Sequence, residues 1–434
     1  MAQTVADRMF GQPESLLIRV VSQREWVLDY GDQFEHAVQV QVQERLARIG
    51  VVQAACRFEG ECVLIDLAQM PVWSEMACQR PDQLAHLVRK ALSHEPVEHG
   101  GHRVYLLVLT ELLYGALVAS AACERLRAGP VAAWLEAAAG AHGAKSERVR
   151  ADLDSAAQLF DDLRAARLVL AFQPIVAVTG REHRYLYHEA LLRRSANGPG
   201  SIAVAAGAVN AIEAAERLGW IWRLDYSVIW TVLALLEHYP DQRLGCNVSA
   251  ASLYGDAWWN LLLAYLQANR SLAERLTLEI TETSAMILSA QTMALVAKLR
   301  QCGTRIAIDD MGVGHSTSEF LSRAQADVVK IDHSILLRTF EPDQPQELLR
   351  NLIKRCADYT PCVVVEGVQT VTELIAAHDA GAQGVQGFLI ERPNVRPHWL
   401  ESEIVAVVDA CAEPSLVRLH EPLSLWQEGI AHGH

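Results

Sequence analysis

The chain of 434 residues has no basic excess: 38 Lys and Arg stand against 52 Asp and Glu, a net charge of −14. That excludes a general nucleic-acid binder, which carries a basic face. An anionic ligand stays admissible wherever metals or single cations set the local field. The nine cysteines are odd in number and include no Cys-x-x-Cys pair, so neither a zinc site nor a disulfide frame is implied. Reduced thiols and a cytoplasmic protein are the expectation. Residues 1–11 include Asp7 and Arg8 and lack the apolar core of a signal peptide. No sequence motif repeats at a solenoid-like period. The nearest approach to a membrane span, residues 104–123, carries Thr110, Glu111 and Tyr114 near its centre. A carboxylate at that depth is costly, so a buried strand and helix are expected there, with no membrane span.

What is present is a hydrophobic content of 51%, ample for two or three packed domains. The most informative stretch is Asp309-Asp310-Met311-Gly312-Val313-Gly314, which follows the apolar run Thr304-Arg305-Ile306-Ala307-Ile308. Two adjacent carboxylates at a strand end repel unless a cation lies beside them, and a divalent metal pair is the usual one. On a regular strand they point to opposite faces. Both face one site only if the chain turns, which Gly312 and Gly314 permit. Taken alone, the pair reads equally as a solvated acidic turn.

Its surroundings decide otherwise. Short apolar runs end in Asn247, Glu279, Asp309, Lys330, Glu366 and Gln386, at steps of 32, 30, 21, 36 and 20 residues. The segments between carry helical periodicity, as in Leu348-Leu349-Arg350-Asn351-Leu352-Ile353. Strands alternating with helices at this pitch predict parallel βα units closing into a TIM-like (β/α)8 barrel, with the active site at the C-terminal strand ends. Upstream, alternation puts Glu189, Leu191 and Arg193 on one face of a strand. With Asn247, Glu279 and Asp309 converging, Glu189 reads as a fourth oxygen ligand rather than an ion-pair partner of Arg193. An all-oxygen set suits Mg²⁺ or Mn²⁺, and the planar fork of Arg193 suits a phosphate.

From about residue 169 to 397 the chain resembles the EAL-domain phosphodiesterases of cyclic di-GMP. The resemblance is carried in order by Phe172-Gln173-Pro174-Ile175, Glu189-Ala190-Leu191 with Leu192-Arg193, Ala215-Glu216 with Gly219 and Leu224-Asp225, and Asn247-Val248-Ser249. Glu279-Ile280-Thr281-Glu282, Asp309-Asp310, Val329-Lys330-Ile331-Asp332, Glu366-Gly367-Val368 and Val385-Gln386-Gly387 follow. The resemblance implies that Glu189, Asn247, Glu279 and Asp309 hold one metal, and that Asp309 bridges to a second which Asp310 helps to hold. It implies that Lys330 and Glu366 position and activate a water. It gives Gln173, Leu191 and Arg193 as contacts to the dinucleotide, Gln386 as a water-mediated partner at the metals on the substrate side, and Glu282 as an anchor for the catalytic loop after Asp310. The reaction implied is hydrolysis of cyclic di-GMP to linear pGpG with two Mg²⁺ or Mn²⁺ ions, in a homodimer.

Four departures favour the alternative of a catalytically silent receptor for cyclic di-GMP or for a protein partner. The usual Asp-Asp-Phe-Gly-Thr-Gly-Tyr-Ser-Ser carries Met311, Val313, His315, Ser316 and Thr317 here. Gln369 replaces a Glu, His188 a common Tyr, and Arg194 a common Trp. His315 reads as a loop residue, and Trp258-Trp259 as packing.

Residues 1–130 resemble an eroded GGDEF domain around Arg57-Phe58-Glu59-Gly60-Glu61-Cys62-Val63. One glycine of the phosphate turn is gone, as is the metal-binding Asp expected near Ile18–Ser22. Diguanylate cyclase activity is therefore not expected. A folded α/β remnant that dimerises or receives a regulatory protein or ligand is. Residues 131–167 are expected to be a linker ending in a charged helix, 168–400 the EAL domain, and 401–434 a tail ending in His432-Gly433-His434.

Overall fold

The computed structural model describes residues 13–20, 32–59, 62–79, 81–114, 144–178, 184–195, 202–203, 206–253, 257–281, 290–312, 318–341, 347–400, 417 and 419. The chain divides into two compact units: residues 1–158, 211–220 and 423–434 in one, and 159–210 with 221–422 in the other.

The first unit contains an antiparallel sheet of β1 (Pro13–Val20), β2 (Cys56–Glu59), β3 (Cys62–Asp66) and β6 (Val108–Tyr114), in the order β2-β3-β1-β6. β4 (Val97–His99) and β5 (His102–Val104) form a separate hairpin. Helix α1 (Asp32–Arg48) presents Phe34, Val38, Val42 and Leu46 at four-residue spacing, so one face enters the same core as Leu16 and Ile18 of β1. Helices α2 (Pro71–Gln79) and α3 (Pro81–Ser93) add Trp73, Leu84 and Val88. Arg45 of α1 is buried, and its guanidinium donates to the carbonyls of Leu92, Glu95 and Pro96 at the end of α3. The β2–β3 register sets Glu59 opposite Cys62; Gly60 and Glu61 of the GGDEF-like turn lie outside the described residues. Cys62 is disulfide-bonded, which corrects the expectation of reduced thiols throughout. Residues 108–114 form the expected buried strand, and residues 115–123 lie outside the described set. Among the described residues no helix is long and apolar enough to cross a membrane.

Helix α4 (Ala144–Arg164) matches the expected charged helix. In the second unit eight strands close on themselves: β7 (Leu168–Ala177), β8 (Tyr185–Ser195), β10 (Leu244–Val248), β11 (Leu276–Thr281), β12 (Arg305–Met311), β13 (Val328–Ile331), β14 (Val363–Val365) and β15 (Gly384–Val385). The short β9 (Ile202–Ala203) extends β8. From β8 through β10 to β15 every neighbour is parallel. β7 departs from the expected pattern, running antiparallel to both β8 and β15. Only a short link joins β7 to β8, too little for a crossover helix, so a hairpin is the available connection. The first half of β7 is also paired outside the barrel sequence: Phe172 bridges Asn394, and Leu168 and Leu170 exchange backbone bonds with Leu419 and Val417. The tail thus contributes to the barrel seam.

Helices α5 (Ala206–Arg217), α6 (Trp222–His238), α7 (Ala257–Ala268), α8 (Arg270–Ala273), α9 (Ala290–Cys302), α10 (Ser318–Ala324), α11 (His333–Arg338), α12 (Glu347–Ala357) and α13 (Val371–Asp379) follow the strands. Trp258 of α7 packs edge-on against Trp222 of α6 and is buried with Trp259, as a packing role requires. The barrel interior is layered: Ile175, Tyr187, Ala307, Val328 and Val364 pack together. Two residues further on each parallel strand of that group stand Glu189, Asp309, Lys330 and Glu366.

Candidate active site

Strand alternation is therefore what builds the site. The layer below is apolar and fixed, so the next inward position on each strand is held within a rigid frame at the C-terminal mouth. Gln173, Glu189, Asn247, Glu279, Asp309, Lys330, Glu366 and Gln386 all occupy it, on or just beyond seven different barrel strands and the antiparallel β7.

Lys330 is the centre. Its Nζ lies 3.0 Å from Glu189 Oε2, 2.6 Å from Glu279 Oε2, 3.1 Å from Asp309 Oδ1 and 2.7 Å from Glu366 Oε1. The Glu279 contact is a close ion-pair approach, since Oε2 makes no aligned hydrogen bond. Glu189 accepts from Asn247 Nδ2 at 2.6 Å and from Gln386 Nε2 at 2.7 Å. Gln386 also donates to Gln173 Oε1, and Gln173 donates onward to the Glu391 carbonyl at 2.9 Å. Leu191 and Arg193 continue the inward face of β8 above Glu189, half-buried, and Arg193 Nη1 donates to the Leu192 carbonyl. Glu282 and His315 lie outside the described residues.

The adjacent carboxylates meet through a bulge. β12 pairs with β13 at Ile308–Val329 and again at Met311–Ile331, so Asp309 and Asp310 together face the single residue Lys330. Asp310 itself adopts the left-handed conformation, φ 56°, and its amide donates to Asp309 Oδ1 at 3.1 Å. The turn that the sequence assigned to Gly312 and Gly314 thus begins already at Asp310; Gly312 follows at φ 104°, and Gly314 lies outside the described residues.

Carboxylate oxygens of Glu189, Glu279 and Asp309 approach within 4.8 Å of one another, and so do those of Asp309, Asp310 and Glu366. Asp309 belongs to both groups. Glu279 Oε1 is buried without a hydrogen-bond partner, which leaves a buried carboxylate in need of a donor or a cation. The donor set is all oxygen, as hard divalent ions require.

Electrostatics agree. Burial, then the Glu189 carboxylate, pushes Glu279 up to about 8. Burial and neighbouring Asp309 push Asp310 up to about 6. Burial raises Asp309, and lifts Glu366 well above the usual carboxylate range. Burial also works against the charge of Glu189, but Lys330 and the hydrogen bonds from Gln386 and Asn247 bring it below its ordinary value. Burial would discharge Lys330, yet Asp309, Glu189, Glu279 and Glu366 hold it well above the ordinary lysine value. Burial first, and then the crowding of carboxylates around one ammonium, is what the raised proton affinities register.

Two supporting residues carry no role in the sequence reading. Asp225 of α6 accepts from Ser249 N at 3.0 Å and Ser252 Oγ at 2.6 Å, fixing the turn after Asn247. Tyr187 lies beneath Glu189; its spacing of two on the same strand was the available signal.

Residues 156–393 match the EAL domain family, and the chain belongs to that family. Cyclic di-GMP phosphodiesterase NbdA of Pseudomonas aeruginosa is 28% identical over 384 residues, covering 84% of this chain and 46% of that protein. Probable cyclic di-GMP phosphodiesterase PdeA of Escherichia coli is 29% identical over 176 residues, covering 40% of this chain and 24% of that protein. The chain spans less than half the length of these curated relatives. Among solved structures, the FimX EAL domain from Pseudomonas aeruginosa bound to c-di-GMP gives a TM-score of 0.48 at 26% identity, covering 56% of this chain and 96% of that one.

Proposed function

We propose that this chain hydrolyses cyclic di-GMP to linear pGpG with two divalent cations, Mg²⁺ or Mn²⁺. The observation that carries the reading is Asp309, shared by two carboxylate groups and flanked by Lys330 and Glu366. Glu189, Asn247, Glu279 and Asp309 would hold one ion, and Asp309 with Asp310 the other. Two such ions, when bound, acidify a water and stabilise charge on the phosphoryl and leaving oxygens.

The chain's own groups supply the rest. Glu366 accepts a proton from the attacking water, and Lys330 at 2.7 Å fixes the carboxylate that does so. Arg193 engages a phosphate oxygen as a fork donor. The run Glu391 carbonyl–Gln173–Gln386–Glu189 holds the substrate-facing amide of Gln173 against the metal carboxylate. Glu282 serves as the loop anchor, and Leu191 lines the dinucleotide. Residues 1–130 act as a GGDEF-like regulatory unit that receives a protein or ligand signal, joined by residues 131–167 to a catalytic region at 168–400, in a cytoplasmic homodimer.

The test is turnover of cyclic di-GMP with Mg²⁺ or Mn²⁺ by the parent, Glu189→Ala and Glu366→Ala. pGpG from the parent alone supports the enzyme. Binding without turnover would leave the silent receptor, which the substitution of Met311 in the bulge favours.

A further inference from the structure

Tyr187 brings a polar atom into the packed layer beneath the carboxylates. It is 1% exposed among Ile175, Ala307, Val328 and Val364, and its hydroxyl has no hydrogen-bond partner. An unpaired buried hydroxyl is destabilising. Phenylalanine would fill the same space without that penalty, so packing does not account for the oxygen.

Two further observations point to what does. Glu279 Oε1 is buried and equally unpartnered, while Oε2 of the same carboxylate is the oxygen turned to Lys330 at 2.6 Å. The unpartnered Oε1 and the edge of the Tyr187 ring also meet at one backbone position. A Cβ built on Gly245 would lie 2.6 Å from Glu279 Oε1 and 2.6 Å from Tyr187 Cε2. Only a residue without a side chain fits between the phenol edge and the carboxylate. The backbone of Gly245 is not left-handed, so its glycine is required for clearance rather than conformation.

We propose that Tyr187 is a positioning residue of the metal site, its O–H donating to Glu279 Oε1 through one ordered water. This inference rests on the metal reading given above. A ligating carboxylate with both oxygens free can swing. A donor fixed from the rigid layer below holds one oxygen and presents the other, Oε2, to the cation. Donors that orient a ligand in this way typically change metal affinity by about 10–100-fold.

The test is Tyr187→Phe in the full chain, with Mn²⁺ binding by calorimetry and thermal midpoints in EDTA and in saturating Mn²⁺. The midpoint in EDTA is expected to hold, because the hydroxyl makes no direct hydrogen bond to the protein. Mn²⁺ binding is expected to weaken about tenfold or more, and the Mn²⁺-dependent gain in midpoint to shrink. KM for cyclic di-GMP is expected to stay unchanged. A role in packing alone would leave Mn²⁺ affinity where it was, so a variant binding Mn²⁺ as the parent does overturns the proposal while leaving the metal site intact. A parent that binds no Mn²⁺, or a Glu279→Gln variant that binds it undiminished, overturns the metal reading and this inference together.

Discussion

Asp309 and Asp310 stand opposite one residue, Lys330, because β12 carries one residue more than β13 across the bulge. Consecutive side chains that a regular strand would separate are thereby brought to one site. Asp310 holds φ 56° to do so, a conformation that aspartate adopts at a cost of about 1 kcal/mol and glycine does not resist. Asp310→Gly is expected to fold as well as the parent or slightly better, and to lose turnover by at least about a hundredfold through loss of the second cation. Asp310→Asn should keep the backbone and lose the same activity. Denaturant midpoints beside pGpG formation check both; a glycine variant that remains active would show that Asp310 is there only for the turn.

The ammonium of Lys330 offsets four carboxylates in a buried setting. Removing one partner of a buried charge group commonly destabilises by about 3–5 kcal/mol. Lys330→Met is expected to show a loss of that order in EDTA. Because a divalent ion can replace the missing charge, saturating Mn²⁺ should raise the midpoint of this variant by more than it raises the parent's. Thermal scans with and without Mn²⁺ decide, and an equal gain in the two proteins would contradict the account.

How much of this was legible follows from the physics of each element. The inward positions Glu189, Glu279, Asp309, Lys330 and Glu366 were readable because each closes an apolar run and the strand period is two. The reversal of β7 was less so: the strand alphabet of Leu168–Ala177 is the same for either direction, and only the brevity of the link to β8 tells them apart. The bulge was invisible, since register is a property of two strands and Met311–Ile331 pairing is not written in either alone. The seam contribution of Val417 and Leu419 is a contact between segments more than 240 residues apart, which no local pattern encodes. Tyr187 was passed over for a different reason: in an apolar layer an aromatic reads as filling.

The proton affinity of the site fixes the sign of its pH response. Glu279 sits near 8 in the folded chain against an ordinary 4.5, so the folded state holds a proton that the unfolded state releases between those values. Its contribution to stability is complete below 4.5 and is lost as pH rises through 8. His188 has the opposite sense. Burial and then His398 lower it from 6.5 to about 4, so its contribution is present above 6.5 and lost as pH falls towards 4. Between pH 6.5 and 8 only the Glu279 slope should remain of the two. In EDTA the midpoint is expected to fall across that window. In Mn²⁺, which competes with the proton, the fall should vanish or reverse. A parallel decline with and without Mn²⁺ would place the titrating group elsewhere.

Asp225 tests whether the site depends on what surrounds it. Its carboxylate receives the Ser249 amide and the Ser252 hydroxyl, both buried, and thereby closes the turn that follows Asn247. Asp225→Ala leaves both donors unsatisfied at roughly 1–3 kcal/mol each, so a loss of several kcal/mol is expected and folding itself is at risk. Asp225→Asn keeps one acceptor oxygen and the volume, and is the informative variant. If the turn sets Asn247 on the cation, Asp225→Asn should fold, lose about 1–3 kcal/mol and weaken Mn²⁺ binding, with KM for cyclic di-GMP moving little. If Asp225 serves only the packing of α6 on the barrel, stability will fall and Mn²⁺ affinity will not. Chemical denaturation and calorimetry on the same preparation separate the two.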